Sequence, residues 1–405
     1  MFTKYGYGTK QITWKLKSKA LKKSIRLFSI LTNSIKQTLG QFLSLLLSLY
    51  VIHYYSKAVW GDFAATFLYI SISLLVLSWG SKDFLIREFS KMPGKMMRHF
   101  YLLFNTRLLL VLFSVLITLF VFPKSQSLYI ALWLIGGYVA QSLEVFWIYK
   151  RDYLQSIAIE ILSFLILLGF VYNQTTLTAD NLITYYSYYQ IIRALFFVLL
   201  YFGNLKNIHF NIDKSYLWIS FPFFMLSFVG FLQSRIDFLI ITFFETHENV
   251  AIYQVINTYF ILIHALGTFM ILPYMKNFYR LKTQSMETIQ RKISMIAPFL
   301  VLCCLMVFYL LIRFVYQFNL DIYYYFIGIF ITFPPYLYAV RIIQLFKENK
   351  QNTVLFVGIK AIIINSLVSF LLLHFRFGLK GALLGSAVAQ LFTAYQYLKM
   401  VRFEK

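Results

Sequence analysis

The sequence predicts an all-α polytopic membrane protein of about twelve transmembrane helices, and three observations carry that expectation. Apolar runs of about 20 residues recur from end to end, each long enough to span a hydrocarbon core of ~30 Å as a helix. Charged residues make up 13% of the 405 positions and hydrophobic ones 60%. A soluble domain of this length carries roughly 25% charged residues, so too little polar surface remains here to cover a globule in water. The third observation is that Lys and Arg are sorted by loop, as the positive-inside rule requires.

Helices are the required element, because lipid offers an exposed backbone nothing to hydrogen-bond. Strands of a membrane barrel would alternate polar and apolar residues, whereas Phe299 to Tyr309 is apolar on every side. The expected spans are 34–54, 62–82, 100–122, 126–149, 154–172, 181–203, 216–243, 250–275, 293–314, 322–346, 352–373 and 380–400. An N-terminal arm, residues 1–33, is basic and lacks the apolar stretch and cleavage site of a secretory signal. With that arm in the cytoplasm, the loops on its side collect Lys82, Arg87, Lys91, Lys95, Arg98, Lys150, Arg151, Lys347 and Lys350. The opposite loops and their edges hold only Lys57, Lys124, Arg313, Arg376 and Lys380. Both termini are therefore expected in the cytoplasm. The net charge of +23 follows from this sorting. It points to anionic membrane lipids as the partner of the arm and gives no reason to expect nucleic acid.

Catalytic and metal signatures are missing from the pattern. Cys303 and Cys304 are adjacent within a span and have neither disulfide nor metal-ligand spacing. No Gly-rich loop ends in Lys-Ser/Thr, and His247-Glu248 opens a zinc-protease pattern that Ala251 breaks. Neither an enzyme nor a cofactor is expected. The connecting loops are short, so function must reside in the helices or at their ends, which favours a transporter. A weak repeat relates Trp60-Gly61-Asp62-Phe63-Ala64 at the second span to Asn249-Val250-Ala251-Ile252-Tyr253 at the eighth. It suggests two parallel halves of six spans with a site between them.

Charged side chains inside the spans cost roughly 2.5–3.5 kcal/mol each on insertion scales, and they normally face a bundle interior or a watery cavity. The spans hold Arg107, Glu144, Glu160, Arg193, Arg235, Asp237 and Lys360, with His264 as a titratable addition. Residues three or four apart share a helix face. By that spacing Tyr186, Gln190 and Arg193 form one stripe. Ser227, Gly230, Ser234 and Asp237 form another, while Arg235 shares its stripe with Phe224, Phe228 and Phe231. Tyr253, Asn257 and His264 make a fourth. Such stripes favour an interior polar cavity. Arg193, far from either surface, is the foremost functional residue, and Asp237 and His264 are candidates for binding a coupling proton or sodium ion. Interhelical pairing is an equally good reading of Arg107, Glu144, Glu160 and Lys360.

Several segments resemble the polysaccharide flippases (Wzx-type) of the multidrug/oligosaccharidyl-lipid/polysaccharide (MOP) exporter superfamily. They are Ser56-Lys57-Ala58-Val59-Trp60-Gly61-Asp62-Phe63, Leu85-Ile86-Arg87-Glu88-Phe89-Ser90-Lys91 and Phe146-Trp147-Ile148-Tyr149. Gln233-Ser234-Arg235-Ile236-Asp237, Asn249-Val250-Ala251-Ile252-Tyr253 and Phe377-Gly378-Leu379-Lys380-Gly381-Ala382-Leu383-Leu384-Gly385 complete the set. The resemblance implies two six-helix bundles, 34–203 and 216–405, around a central cavity that opens alternately to each side. It further implies a lipid-linked oligosaccharide as substrate, carried on undecaprenyl diphosphate for O-antigen or capsule assembly in a bacterial cytoplasmic membrane. A polysaccharide polymerase is the protein partner that this role suggests.

A diphosphate needs a wet, cationic cavity, and Arg engages phosphate oxygens through a planar fork of donors. Arg107, Arg193, Arg235 and Lys360 are the substrate-binding candidates on that ground. Two other functions stay open. One is a cation-coupled small-molecule (drug) antiporter of the same superfamily, relying on Asp237 and His264. The other is a membrane polysaccharide polymerase, which would carry a large outer loop not visible here.

Overall fold

A computed structural model describes residues 32–205, 210–271, 281–348 and 350–402. The basic arm lies outside this set except for its last two residues, as does much of the loop after the eighth span. Among the described residues the structure is all helix, with no strand. We number fourteen helices, beginning with α1 (Thr32–Tyr54), α2 (Lys57–Ser78), α3 (Ser81–Lys91), α4 (Met96–Val121) and α5 (Lys124–Lys150). They continue with α6 (Tyr153–Tyr172), α7 (Ala179–Tyr201), α8 (Ser215–Phe244), α9 (His247–Ile271) and α10 (Thr283–Leu310). The last four are α11 (Ile322–Thr332), α12 (Pro334–Lys347), α13 (Gln351–His374) and α14 (Gly378–Arg402).

Eleven helical stretches are long and apolar enough to cross a membrane, with α2–α3 and α11–α12 each counting as one. The twelfth, α14, has 25 residues. Small and polar positions, among them Gly385, Ser386, Gln390 and Thr393, dilute its apolar character, and Gln390 and Thr393 are buried in the protein. Around the outside, Leu112, Phe113, Phe120, Phe299, Met306 and Phe356 are exposed, a surface that lipid and not water would cover.

Local chemistry explains where the helices depart from the expected spans. Ser56 caps α2 by accepting from the Val59 amide, so the helix begins at Lys57 and takes in Trp60-Gly61-Asp62. The loop after it folds into α3, an amphipathic helix that buries Phe84, Leu85 and Phe89 against its neighbours. Between α2 and α3 the chain turns through Trp79 and Gly80, both left-handed with φ of 44° and 64°. Gly80 also lies against the Phe223–Phe224 backbone, where a Cβ would collide. Helix α10 starts ten residues before the apolar run, because Met286 and Gln290 are buried by contact with α12. There Gln290 donates to the Tyr336 carbonyl at 2.6 Å and accepts from the Val340 amide at 2.9 Å. Its amide is thus spliced into the hydrogen-bond ladder one turn after Pro334 and Pro335, which break the tenth span into α11 and α12.

The helices gather into two lobes. One is held by packing of α5 on α7, α6 on α7 and α4 on α5, the other by α13 on α14, α8 on α13 and α11 on α14. The lobes meet chiefly where α2 runs along α9, and α8 touches α2, α3 and α4. Ala64 and Leu68 of α2 join the apolar core of the second lobe, and Ala251 of α9 joins that of the first. The two segments related by the weak repeat are therefore the second span of each lobe, and they pack on one another.

Candidate functional site

Between the lobes lies a cavity of about 620 Å³, walled by α1, α2, α3, α5, α6, α7, α8 and α9. Lys36, Lys82 and Asp83 stand at one end of it, the end rich in Lys and Arg, called here the basic end. Trp133 of α5 and Gln254 and Thr258 of α9 line it further from that end. Beyond that point the far end is closed. Trp60 Nε1 donates to Gln254 Oε1 at 3.0 Å in a buried bond between α2 and α9. At the start of α9, about two turns before Gln254, His247 Nδ1 lies 2.5 Å from Asp62 Oδ1. Gly61 lies so close to the His247 carbonyl that no side chain fits between them. These contacts between α2 and α9 seal the cavity at that end.

Its lining carries four cations, Lys36, Lys82, Arg193 and Arg235, and three carboxylates, Asp83, Glu144 and Glu160. Lys82 pairs with Glu144 at 3.2 Å. Glu160 is shared: Lys36 Nζ lies 2.9 Å and Arg193 Nε 3.2 Å from the same oxygen, and Tyr189 donates to the other at 3.1 Å. Arg193 also donates from Nη1 to Gln190 at 3.2 Å. Among the described residues Arg235 makes neither a hydrogen bond nor an ion pair, and its side chain opens onto the cavity. The carbonyl oxygens of Gln41 and Gln141, also on the wall, are buried without a partner. Trp133 and Tyr186, with ring centroids 4.3 Å apart, form an aromatic flank with Phe67. A flat apolar face beside hydrogen-bonding amides suits a sugar ring.

The six residues singled out from the sequence separate into distinct places. Arg193 and Arg235 line the central cavity. Arg107 does not. It is fully buried and donates to the Leu77 and Ser78 carbonyls at 3.1 Å, to Leu103 O at 3.3 Å and to Ser142 Oγ at 3.1 Å. The carbonyls of Leu77 and Ser78 are the loose end of α2, so this arginine caps a helix that a neighbour's side chain must finish. Lys360 is exposed on α13, away from the cavity wall.

Asp237 is buried in the second lobe, where Tyr253 and Ser386 both donate to Oδ2, Ser386 at 2.6 Å. Asn365 joins Ser386 at 3.2 Å and Ser369 joins Asn365 at 2.9 Å, while Asp237 Oδ1 has no partner. His264 lines a separate cavity of about 220 Å³ with Gln233, Ser234, Gln390 and Thr393, a wall that does not include Asp237. The stripe on α8 is therefore divided. Ser227, Phe231 and Arg235 face the central cavity, and Gly230 and Ser234 face the smaller one.

Lys36 and the amides of α1 escaped the sequence reading. Their signal was present: Gln37, Gly40, Gln41 and Ser44 recur at helical spacing behind Lys36 and make one polar face.

No protein-family model and no curated protein sequence matches the chain. Similarity appears in solved structures. A lipid II flippase, MurJ, in an inward closed conformation superposes with a TM-score of 0.65 at 15% identity, covering 91% of this chain and 87% of that one. A multidrug-resistance MATE family transporter of the MOP superfamily, in an inward-facing conformation, gives a TM-score of 0.68 at 14% identity, covering 93% and 98%. One in an outward-facing conformation gives only 0.52 at the same identity, covering 93% and 95%. The preference agrees with a cavity sealed at one end. The chain has the two-lobed helical fold seen in MurJ and in the MATE family transporters.

Proposed function

We propose that this protein moves an oligosaccharide linked to undecaprenyl diphosphate across the bacterial cytoplasmic membrane, for O-antigen or capsule assembly. The observation that carries the reading is Arg235, a cation on the polar wall of the cavity between two lobes with no ion-pair partner among the described residues. An unpaired buried cation is costly unless a ligand neutralises it, and a diphosphate does so with oxygens that fit the guanidinium fork. In this reading the basic end faces the cytoplasm, where the positive-inside rule puts it. Headgroup sugars lie against Trp133 and Tyr186. The lobes then rock about the α2–α9 contact to expose the cavity on the other side.

A second feature supports a lipid-borne substrate. On the other face of α1 lies a groove of about 350 Å³, lined by Phe42, Leu45, Leu46, Leu49 and the apolar faces of α9 and α10. A prenyl chain can rest there, in contact with lipid, while its headgroup occupies the cavity. MurJ, with the same fold, is described as a lipid II flippase, which fits a headgroup of this kind.

Energy for transport is assigned to the Asp237 cluster. Its unpartnered oxygen and the neighbouring Ser386, Asn365 and Ser369 oxygens make a set suited to a proton or a sodium ion. The drug-antiporter reading would use the same cluster, and the MATE similarity favours it to that extent. A cavity lined by four cations against three carboxylates disfavours a cationic drug.

One panel in the native host separates the readings. Arg235→Ala is expected to insert normally and abolish surface glycan, and Asp237→Asn to insert and respond no longer to the ion gradient. Glycan export at the wild-type level by Arg235→Ala, alongside drug efflux that is lost in Asp237→Asn, would favour the antiporter.

A further inference from the structure

The shared carboxylate of Glu160 has a meaning beyond an ion pair. Glu160 comes from α6 and is 5% exposed, and its oxygens are met by Lys36 from α1 and by Arg193 and Tyr189 from α7. All four residues face the central cavity. Two positive groups thus surround a single negative one. The fit to Arg193 is also incomplete. Its Nε is 3.2 Å from the Glu160 oxygen but makes no aligned hydrogen bond to it. Carboxylate and phosphate present the same kind of acceptor oxygen to Lys, Arg and Tyr donors, and a phosphate brings more charge to the exchange. Two cations buried without an anion would be strongly unfavourable, so a site that waits for an anionic ligand needs a stand-in.

We propose that Glu160 is a resident counter-ion, holding between Lys36, Arg193 and Tyr189 the place that a substrate phosphate oxygen takes on binding. The proposal rests on the reading of the cavity as an anion carrier, and it adds a competitor built into the protein. Binding is then an exchange: the phosphate takes the three donors and the carboxylate withdraws along α6. Loading would stay reversible, because the departing ligand is always replaced.

The opposite role, in which Glu160 merely positions Lys36 and Arg193 for substrate, gives the opposite sign in one experiment. Calorimetric titration of the purified full-length protein in detergent uses inorganic pyrophosphate and farnesyl diphosphate as probes. Glu160→Gln is expected to bind pyrophosphate roughly tenfold more tightly than wild type, about the effect of one charge-assisted hydrogen bond. Glu160→Asp keeps the charge but draws it back, and is expected to show a smaller gain. It carries the test if the Gln variant does not fold, as judged by its thermal midpoint. An unchanged or weaker affinity in a folded variant overturns the proposal. The lipid-linked reading is scored separately, in wild type alone, by the preference for farnesyl diphosphate over pyrophosphate.

Discussion

Three arginines that look alike in the sequence do three different things. Each sits within a span, and hydropathy gives no means of ranking them. Arg107 finishes the C-terminal end of α2 and touches Ser142 on α5, so three helices share one guanidinium. Arg193 pairs with Glu160, and Arg235 has no ion-pair partner among the described residues. Their fates depend on what the facing helix offers: loose carbonyls, a carboxylate, or a cavity. Stability should separate the first from the last. Arg107→Met leaves buried carbonyls without donors and is expected to lower unfolding stability by about 3 kcal/mol. Arg235→Met removes no protein contact of that kind and is expected to leave the unfolding transition nearly unchanged. Thermal or denaturant unfolding of the purified variants checks both. Equal losses would mean that Arg235 is also a structural residue.

At the scale of helices, eleven of the expected spans were legible because lipid imposes a length and an apolar composition that few other constraints override. Elements outside that constraint were harder to see. Helix α3 depends on three buried residues in a polar loop, and the early start of α10 depends on Gln290 reaching a helix break 46 positions away. The two faces of α1 show how an element positions the site. Gln37, Gln41 and Ser44 look into the cavity, whereas Phe42, Leu45 and Leu49 line the apolar groove. Tyr316 fastens the far half of the same helix to the second lobe through Ser48 and the Leu45 carbonyl, at 2.9 and 2.8 Å.

Closure of the far end belongs to the α2–α9 pair, and a tether there should trap the conformation described. In a background with Cys303 and Cys304 replaced, Asp62→Cys with His247→Cys, joined by a short bifunctional reagent, is expected to stop transport. Cleaving the link should restore it. A joined protein that still transports would show that this end does not need to open.

For the whole molecule, the polar stripe on α7 was read correctly as a unit, since Tyr186, Gln190 and Arg193 all face the cavity. The stripe on α8 was not, because how a helix is rotated against two neighbouring hollows depends on tertiary packing and not on its own periodicity. For the same reason Asp237 and His264, both candidates for ion coupling, line different places. What the sequence did convey at this scale is the sorting of charge. The basic end of the cavity and the basic loops lie on one side, and the proposed anionic headgroup would meet a favourable field there before it met Arg235.

The central claim is that the cavity carries a diphosphate-linked sugar past that arginine. Proteoliposomes loaded with a fluorescent prenyl-diphosphate disaccharide measure it directly, as the fraction of label that becomes accessible to a quencher outside. Wild-type protein should move the lipid, and folded Arg235→Gln should do so at least about tenfold more slowly, the loss typical of one charge-assisted contact to phosphate. Equal rates for the two proteins, or no movement above protein-free vesicles, would contradict it.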